Sequence, residues 1–141
     1  IGNNVTLGSL VHVAAGASIG DGTMVEGAAY IGRLSKIGRN CFIGPKVVIT
    51  GDPYPPVRRN TGVSAWTGVT VEDEAIIGAG ACIRAGIVVG RRAVVGMGSV
   101  VLSDVPPGTV VAGVPARPIY DRDEYDRRQM ERAARWEKIS P

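Results

Sequence analysis

Ile37-Gly38-Arg39-Asn40-Cys41-Phe42-Ile43-Gly44-Pro45-Lys46-Val47-Val48-Ile49 is the stretch on which the reading of the fold depends. Isoleucine recurs in it at 37, 43 and 49, a glycine follows the first two, and a small or branched residue (Ser35, Cys41, Val47) stands two places before each. Read outward, the period holds. Toward the start it meets Ile31, Val25, Ile19, Val13, Leu7 and Ile1, and after an interruption it resumes at Val71, Ile77, Ile83, Val89, Val95 and Val101, so all fifteen positions are Ile, Leu or Val. Nine of the fifteen are followed directly by glycine, which makes the neighbours periodic too. A helix of about 3.6 residues per turn cannot keep such a spacing on one face. One short strand and one tight turn per period can, with the aliphatic and its small partner pointing inward and Gly or Asn supplying the turn angles.

The composition agrees with a repetitive architecture. Of 141 residues 20 are Gly, 45% are hydrophobic, and aromatics reach only 5% with Phe42 the single phenylalanine, so large rings cannot supply the core. The net charge of +3 arises from 10 basic and 7 acidic residues in 1–120 and 6 of each in 121–141, without a Lys/Arg stripe. Nucleic acid is therefore not an expected partner. No apolar run approaches the roughly 18 residues of a membrane span and no signal segment opens the chain, so no membrane association and a cytoplasmic location are expected. The sequence opens on Ile1 rather than Met, and residues are expected to precede it. Cys41 and Cys82 lack metal-ligand spacing and are expected to be free thiols, Cys41 in the core and Cys82 facing outward. The lone His12 cannot build a site of three imidazoles within one chain, so no metal is expected.

This pattern resembles the hexapeptide-repeat proteins, and the resemblance implies an all-β fold, a left-handed parallel β-helix with three flat faces and about 18 residues per coil. Two stretches break the period. Residues 50–70 carry Pro53, Pro55, Pro56 and the pair Arg58–Arg59, which cannot continue a ladder and are expected to leave the prism as an excursion loop. Beyond Val105-Pro106-Pro107-Gly108, the polar segment 121–138 pairs Glu124/Arg128, Arg127/Glu131 and Glu131/Arg135 at helical spacing and predicts a C-terminal α-helix outside the prism. The expected organisation is a β-helix over 1–117 and a helical tail over 118–141.

The run Gly96-Met97-Gly98-Ser99-Val100-Val101-Leu102-Ser103-Asp104-Val105-Pro106-Pro107, closing with Gly113-Val114-Pro115-Ala116-Arg117, looks like the final coil of the hexapeptide acyltransferases. That resemblance implies a homotrimer with acetyl-CoA along the groove between two prisms. Ala79 and Met97, 18 residues apart, match the positions contacting the pantetheine arm, Leu102 an adenine-side position and Arg117 the basic residue near the phosphates. Met97, Leu102 and Ser103 stand where Ala, Thr and Lys are usual.

Within the loop, Thr50-Gly51-Asp52-Pro53-Tyr54-Pro55 places Asp52 where sugar O-acetyltransferases of the galactoside and maltose type carry their basic histidine. A hydroxyl acceptor calls for a base with a pKa near 7, whereas a carboxylate suits an amine N–H. The segment also resembles the loop of nucleotide-linked amino-sugar N-acetyltransferases, matching Thr50, Asp52, Tyr54 and Pro55 with Gly51 in place of Asn. Asp52 is accordingly the expected catalytic residue, His12 its rival, and Tyr54, Arg58, Arg59 and Asn60 the expected acceptor contacts. Trp66 is a further ring near the loop for stacking. His12 is expected at a turn, two coils or roughly 10 Å from the start of the loop. The expected function is acetyl-CoA-dependent N-acetylation of a small-molecule amino sugar; the alternatives are sugar or small-molecule O-acetylation with His12 as base, and a non-catalytic β-helix that binds a partner protein.

Overall fold

The computed structural model describes residues 1–53 and 66–141. Fourteen two-residue strands follow one another among them: β1 (Thr6–Leu7), β2 (His12–Val13), β3 (Ser18–Ile19), β4 (Met24–Val25), β5 (Tyr30–Ile31), β6 (Lys36–Ile37), β7 (Phe42–Ile43), β8 (Val48–Ile49), β9 (Thr70–Val71), β10 (Ile76–Ile77), β11 (Cys82–Ile83), β12 (Val88–Val89), β13 (Val94–Val95) and β14 (Val100–Val101). Then come β15 (Thr109–Ala112), β16 (Arg117–Asp121) and α1 (Arg122–Ile139). Every third strand pairs in parallel and in register, so β1-β4-β7-β10-β13 form a first face, β2-β5-β8-β11-β14 a second and β3-β6-β9-β12 a third. The result is the left-handed β-helix expected.

Alternation within each two-residue strand explains the core. The second residue points in, and Val25, Ile31, Ile43, Ile49, Ile77 and Ile83 are fully buried, while Ile1 and Leu7 of the first coil have a neighbour on one side only and stay exposed. Buried hydroxyls at the small inward positions satisfy main chain: Thr23 Oγ1 donates to Gly38 O at 2.7 Å and Ser99 Oγ to Gly96 O at 2.6 Å. The repeat glycines serve closeness rather than turn angles. A Cβ on Gly78 would lie 2.5 Å from Met97 N in the next coil. The left-handed angles instead fall three residues after most of the aliphatics, at residues as different as Leu10 (φ 63), Lys46 (φ 58) and Gly80 (φ 68).

The excursion is narrower than 50–70. Phe42 pairs with Met24, 18 residues back, and with Ile76, 34 residues on, and the difference of 16 is the length of segment 52–67. Thr50 stays in the prism, where its Oγ1 donates to Ile83 O at 3.2 Å and accepts from Ala85 N at 2.8 Å. Gly68 (φ 62) takes the left-handed turn position held by Leu34 (φ 60) one coil below, and Gly51 takes the position before it. The excursion thus enters between the two residues of a single corner, whose halves are tied by Thr67 N and Gly68 N to Gly51 O at 3.1 and 3.3 Å.

The tail also begins differently from the expectation. Residues 118–121 belong to β16, which returns antiparallel along β15 at the end of the first face, because Val110 and Val111 must be covered there and are buried. Asp121 caps α1 by accepting from Glu124 N at 2.8 Å, and Arg122 Nη1 donates to Glu74 O and Arg92 O at 3.0 and 3.1 Å. No residue of α1 is buried, so the helix is held over its first two turns, where Asp126 also pairs with Arg92 at 3.4 Å and Arg128 lies over the Tyr120 ring, and its Met130 and Trp136 face solvent.

The outward strand residues make the prism two-sided. Met24, Phe42, Ile76 and Val94 line the first face, His12, Tyr30, Val48, Cys82 and Val100 the second, and Ser18, Lys36, Thr70 and Val88 the third. The corner joining the third face to the first is charged and internally paired: Asp73 accepts from Arg39 N at 2.8 Å and from the Arg39 guanidinium at 3.0 Å, which holds its carboxyl below the usual range.

Candidate active site

The second face and its two margins gather the described residues expected from the sequence. One margin is the corner between the first and second faces, where Gly98 N donates to Ala79 O at 2.8 Å and stacks Met97 on Ala79. The side chain of Met97 is 77% exposed, and a Cβ on Gly80 or Gly98 would meet nothing within 4 Å, so this edge is open. Among the described residues, the main-chain N–H groups of Ala79 and Met97 donate to no carbonyl. Two free amides about one coil, ~4.8 Å, apart with small side chains beside them fit a thin chain bearing amide groups.

The other margin is the corner between the second and third faces. Thr50, Arg84 and Leu102 succeed one another up this margin, through Thr50 N to Ile83 O at 3.1 Å and Arg84 N to Val101 O at 3.1 Å. Asp52 is half-buried on the same corner, where the chain leaves the prism to begin the excursion. Leu102 is exposed, and Arg117, whose Nη1 donates to Ala116 O at 3.1 Å, borders a hollow of about 240 Å³ with Ser103 and Asp104 at the end of the prism. Met97 and Leu102 therefore stand at the two ends of β14, and Arg117 lies beyond them.

His12 is not at a turn. It is the outward residue of β2, at the foot of the second face, and its ring stacks on Tyr30 with centroids 4.9 Å apart and planes 4° from parallel. The hexad pattern alone left that phase open by one residue. Two rungs of pairing, His12 to Tyr30 and Tyr30 to Val48, separate it from the strand that leads into Asp52. Tyr54, Arg58, Arg59 and Asn60 lie outside the described residues. Cys41 is a core thiol, with Sγ donating to Glu72 O at 3.2 Å and burial pushing its pKa up; Cys82 is half-buried on the second face between Val48 and Val100.

Two residues at the loop corner escaped the sequence reading or were read only in part. Arg33 and Trp66 meet beside Asp52 because Gly51 sits directly on the Arg33 backbone, with a Cβ there placed 2.8 Å from Arg33 N and 3.2 Å from Trp66 Cε3. The guanidinium of Arg33 lies over the Trp66 ring, 5.1 Å from its centroid. A shallower hollow of about 460 Å³ on the third face involves Lys36, Thr70 and Arg91, but its arginine is paired with Glu74 at 2.8 Å and none of the expected site residues line it. Among the described residues no group of three or more His, Cys, Asp or Glu could hold a metal ion, and no helix is long and apolar enough to cross a membrane.

The family described as hexapeptide repeat of succinyl-transferase matches residues 1–33, 61–85 and 68–103, more than half of the chain. A 2,3,4,5-tetrahydropyridine-2,6-dicarboxylate N-acetyltransferase of Staphylococcus aureus (strain bovine RF122 / ET3-1) is 37% identical over 103 residues, covering 73% of this chain and 40% of the relative. Among solved structures, a hexapeptide-repeat acetyltransferase of Vibrio cholerae complexed with acetyl coenzyme A is similar at TM-score 0.73 and 28% identity, over 86% of this chain and 69% of the other. A maltose O-acetyltransferase of Clostridium difficile 630 is similar at TM-score 0.77 and 29% identity, over 86% and 68%. The chain spans about two fifths of the length of the curated relatives it matches.

Proposed function

The chain belongs to the hexapeptide-repeat family, and from that premise we propose that it is an acetyl-CoA-dependent N-acetyltransferase acting on an amino sugar carried on a nucleotide. The observation that carries this reading is Asp52: the titratable side chain where the excursion begins, on the margin facing the Ala79–Met97 edge across the second face, is a carboxylate and not an imidazole. The similarity to an N-acetyltransferase and to an acetyltransferase complexed with acetyl coenzyme A supports it.

In this mechanism the pantetheine arm lies along the open edge, with its amides meeting the main chain of Ala79 and Met97, while Leu102 and Arg117 hold the adenine and phosphate end. Asp52 orients the acceptor amine. Its nitrogen attacks the thioester carbonyl and forms the C–N bond while the proton lost by the amine passes to Asp52; the tetrahedral oxyanion then collapses, the C–S bond breaks, and the departing thiolate takes up a proton. Main-chain N–H groups stabilise the oxyanion between the two steps. Tyr54, Arg58, Arg59 and Asn60 are assigned to the acceptor side.

The working unit is a homotrimer. Its support is the two-sided prism: two unlike apolar faces share the Ala79–Met97 edge, so the first face of one copy against the second face of the next closes a ring of heterologous contacts. A second reading, O-acetylation with His12 as base, is favoured by the similarity to the maltose O-acetyltransferase and by the position of His12 on the same face.

Calorimetric titration with acetyl-CoA, followed by thiol release with nucleotide-linked amino sugars and their hydroxyl counterparts, tests both. Binding with release for the amine alone establishes N-acetylation. Release for the hydroxyl, abolished in His12→Ala, establishes the second reading, and no binding at all makes the prism a partner-binding module.

A further inference from the structure

We propose that the stacked pair Arg33–Trp66 is an oxyanion-binding element, and that it selects acceptors bearing a phosphate or carboxylate close to the amine that Asp52 receives. The inference rests on the amine-acetylation reading above and narrows its substrate class.

The Arg33 guanidinium is 5.1 Å from the Trp66 ring centroid, and none of the ion pairs found among the described residues includes it. The cation–π attraction draws on the charge of the guanidinium and uses none of its N–H donors, so the group keeps its hydrogen-bonding capacity beside the ring. Its planar fork is the arrangement that receives an oxyanion through two parallel hydrogen bonds.

The pair is built into the corner and is not a chance meeting of long side chains. Trp66 packs against Gly51, where any Cβ would approach its ring to 3.2 Å and the Arg33 amide to 2.8 Å. Both residues stay exposed, Trp66 at 41%, so the platform is open to a ligand. Asp52 follows Gly51 directly, and Gly51 stacks on Arg33, so the backbones that carry a carboxylate and a guanidinium occupy adjacent levels of one corner, about one coil or ~4.8 Å apart along the axis. A ligand that answers both carries an ammonium and an oxyanion a few ångströms from each other. An amino sugar without an anionic group answers only Asp52, and a simple anion only Arg33.

Trp136→Phe leaves Trp66 as the single tryptophan, so its emission reports on the platform without any turnover. This variant is titrated with inorganic phosphate and, separately, with acetate, at constant ionic strength made up with chloride and without CoA. The expected result is a saturable change in emission that Arg33→Gln weakens by at least about tenfold; the anion that saturates at lower concentration names phosphate or carboxylate as the preferred group. Absence of a saturable change, or equal titrations with and without Arg33, overturns the proposal. Acetyl-CoA binding and thiol release with nucleotide-linked amino sugars are measured on the same proteins. Their absence in the unmodified chain sinks the acetyl-transfer reading, whereas the emission titration stands or falls by itself.

Discussion

Asp52 and Thr50 are two residues apart and do different work. Thr50 ties its coil to the next through Ile83 O and Ala85 N, whereas Asp52 sits just outside the coil and is assigned the amine. Asp52→Asn is therefore expected to lower turnover by about 100-fold or more with acetyl-CoA affinity and melting temperature unchanged; steady-state kinetics with calorimetry on the same preparation checks it, and undiminished turnover removes Asp52 from the mechanism. Gly78 makes the opposite case. Gly78→Ala places a Cβ 2.5 Å from Met97 N and is expected to destabilise the fold by about 1–3 kcal/mol, read from denaturant unfolding, because backbone must shift to admit it. The sequence announced both residues, the one by a loop motif and the other by the period. Arg33 was not legible: it meets Trp66 only because the two halves of one corner close over it, and period arithmetic cannot carry a position across an insertion whose length is unknown. His12 was misplaced for a related reason, since a six-residue period repeats turn and strand equally well and leaves their phase to be fixed by burial.

The helix α1 is the element least supported by packing, so its stability rests on its own side chains. Glu124 receives Arg127 at 2.7 Å and Arg128 at 2.6 Å, Arg127 also reaches Glu131, and the two arginines pull the Glu124 carboxyl down from its ordinary 4.5 to about 2. A carboxylate with a depressed pKa gives its full contribution above the unfolded value and loses it as the pH falls through the folded one. Helical circular dichroism is expected to fall between pH 4.5 and about 2, and Glu124→Gln to remove that part of the transition and to lower helicity at neutral pH. An identical acid profile in the variant refutes the assignment. The sequence showed the helix through its charge spacing, and missed β16 before it, because the need for that strand arises at the open end of the prism, where Val110 and Val111 require a cover.

At the scale of the whole molecule, polarity is distributed by face. The first and second faces present Phe42, Ile76, Tyr30 and Val48, while the third presents Ser18, Lys36 and Thr70 beside a corner of paired charges. If the proposed ring closes through the apolar faces, Phe42→Asp is expected to release monomers in sedimentation equilibrium and Lys36→Asp to leave the assembly intact. Dissociation by the second variant and not the first assigns the interface to the third face instead. The three-faced prism was legible from the period because one short unit determines each coil. Which faces meet was not, since that depends on the residue before each aliphatic, a position the period leaves free.

The excursion opens inside one corner and closes on the same carbonyl, Gly51 O, with every strand pair in register on either side of it. Its length is therefore invisible to the ladders. The segment can be exchanged, lengthened or trimmed without repacking a single isoleucine, so the residues it carries and the capacity to fold are separable on one short chain.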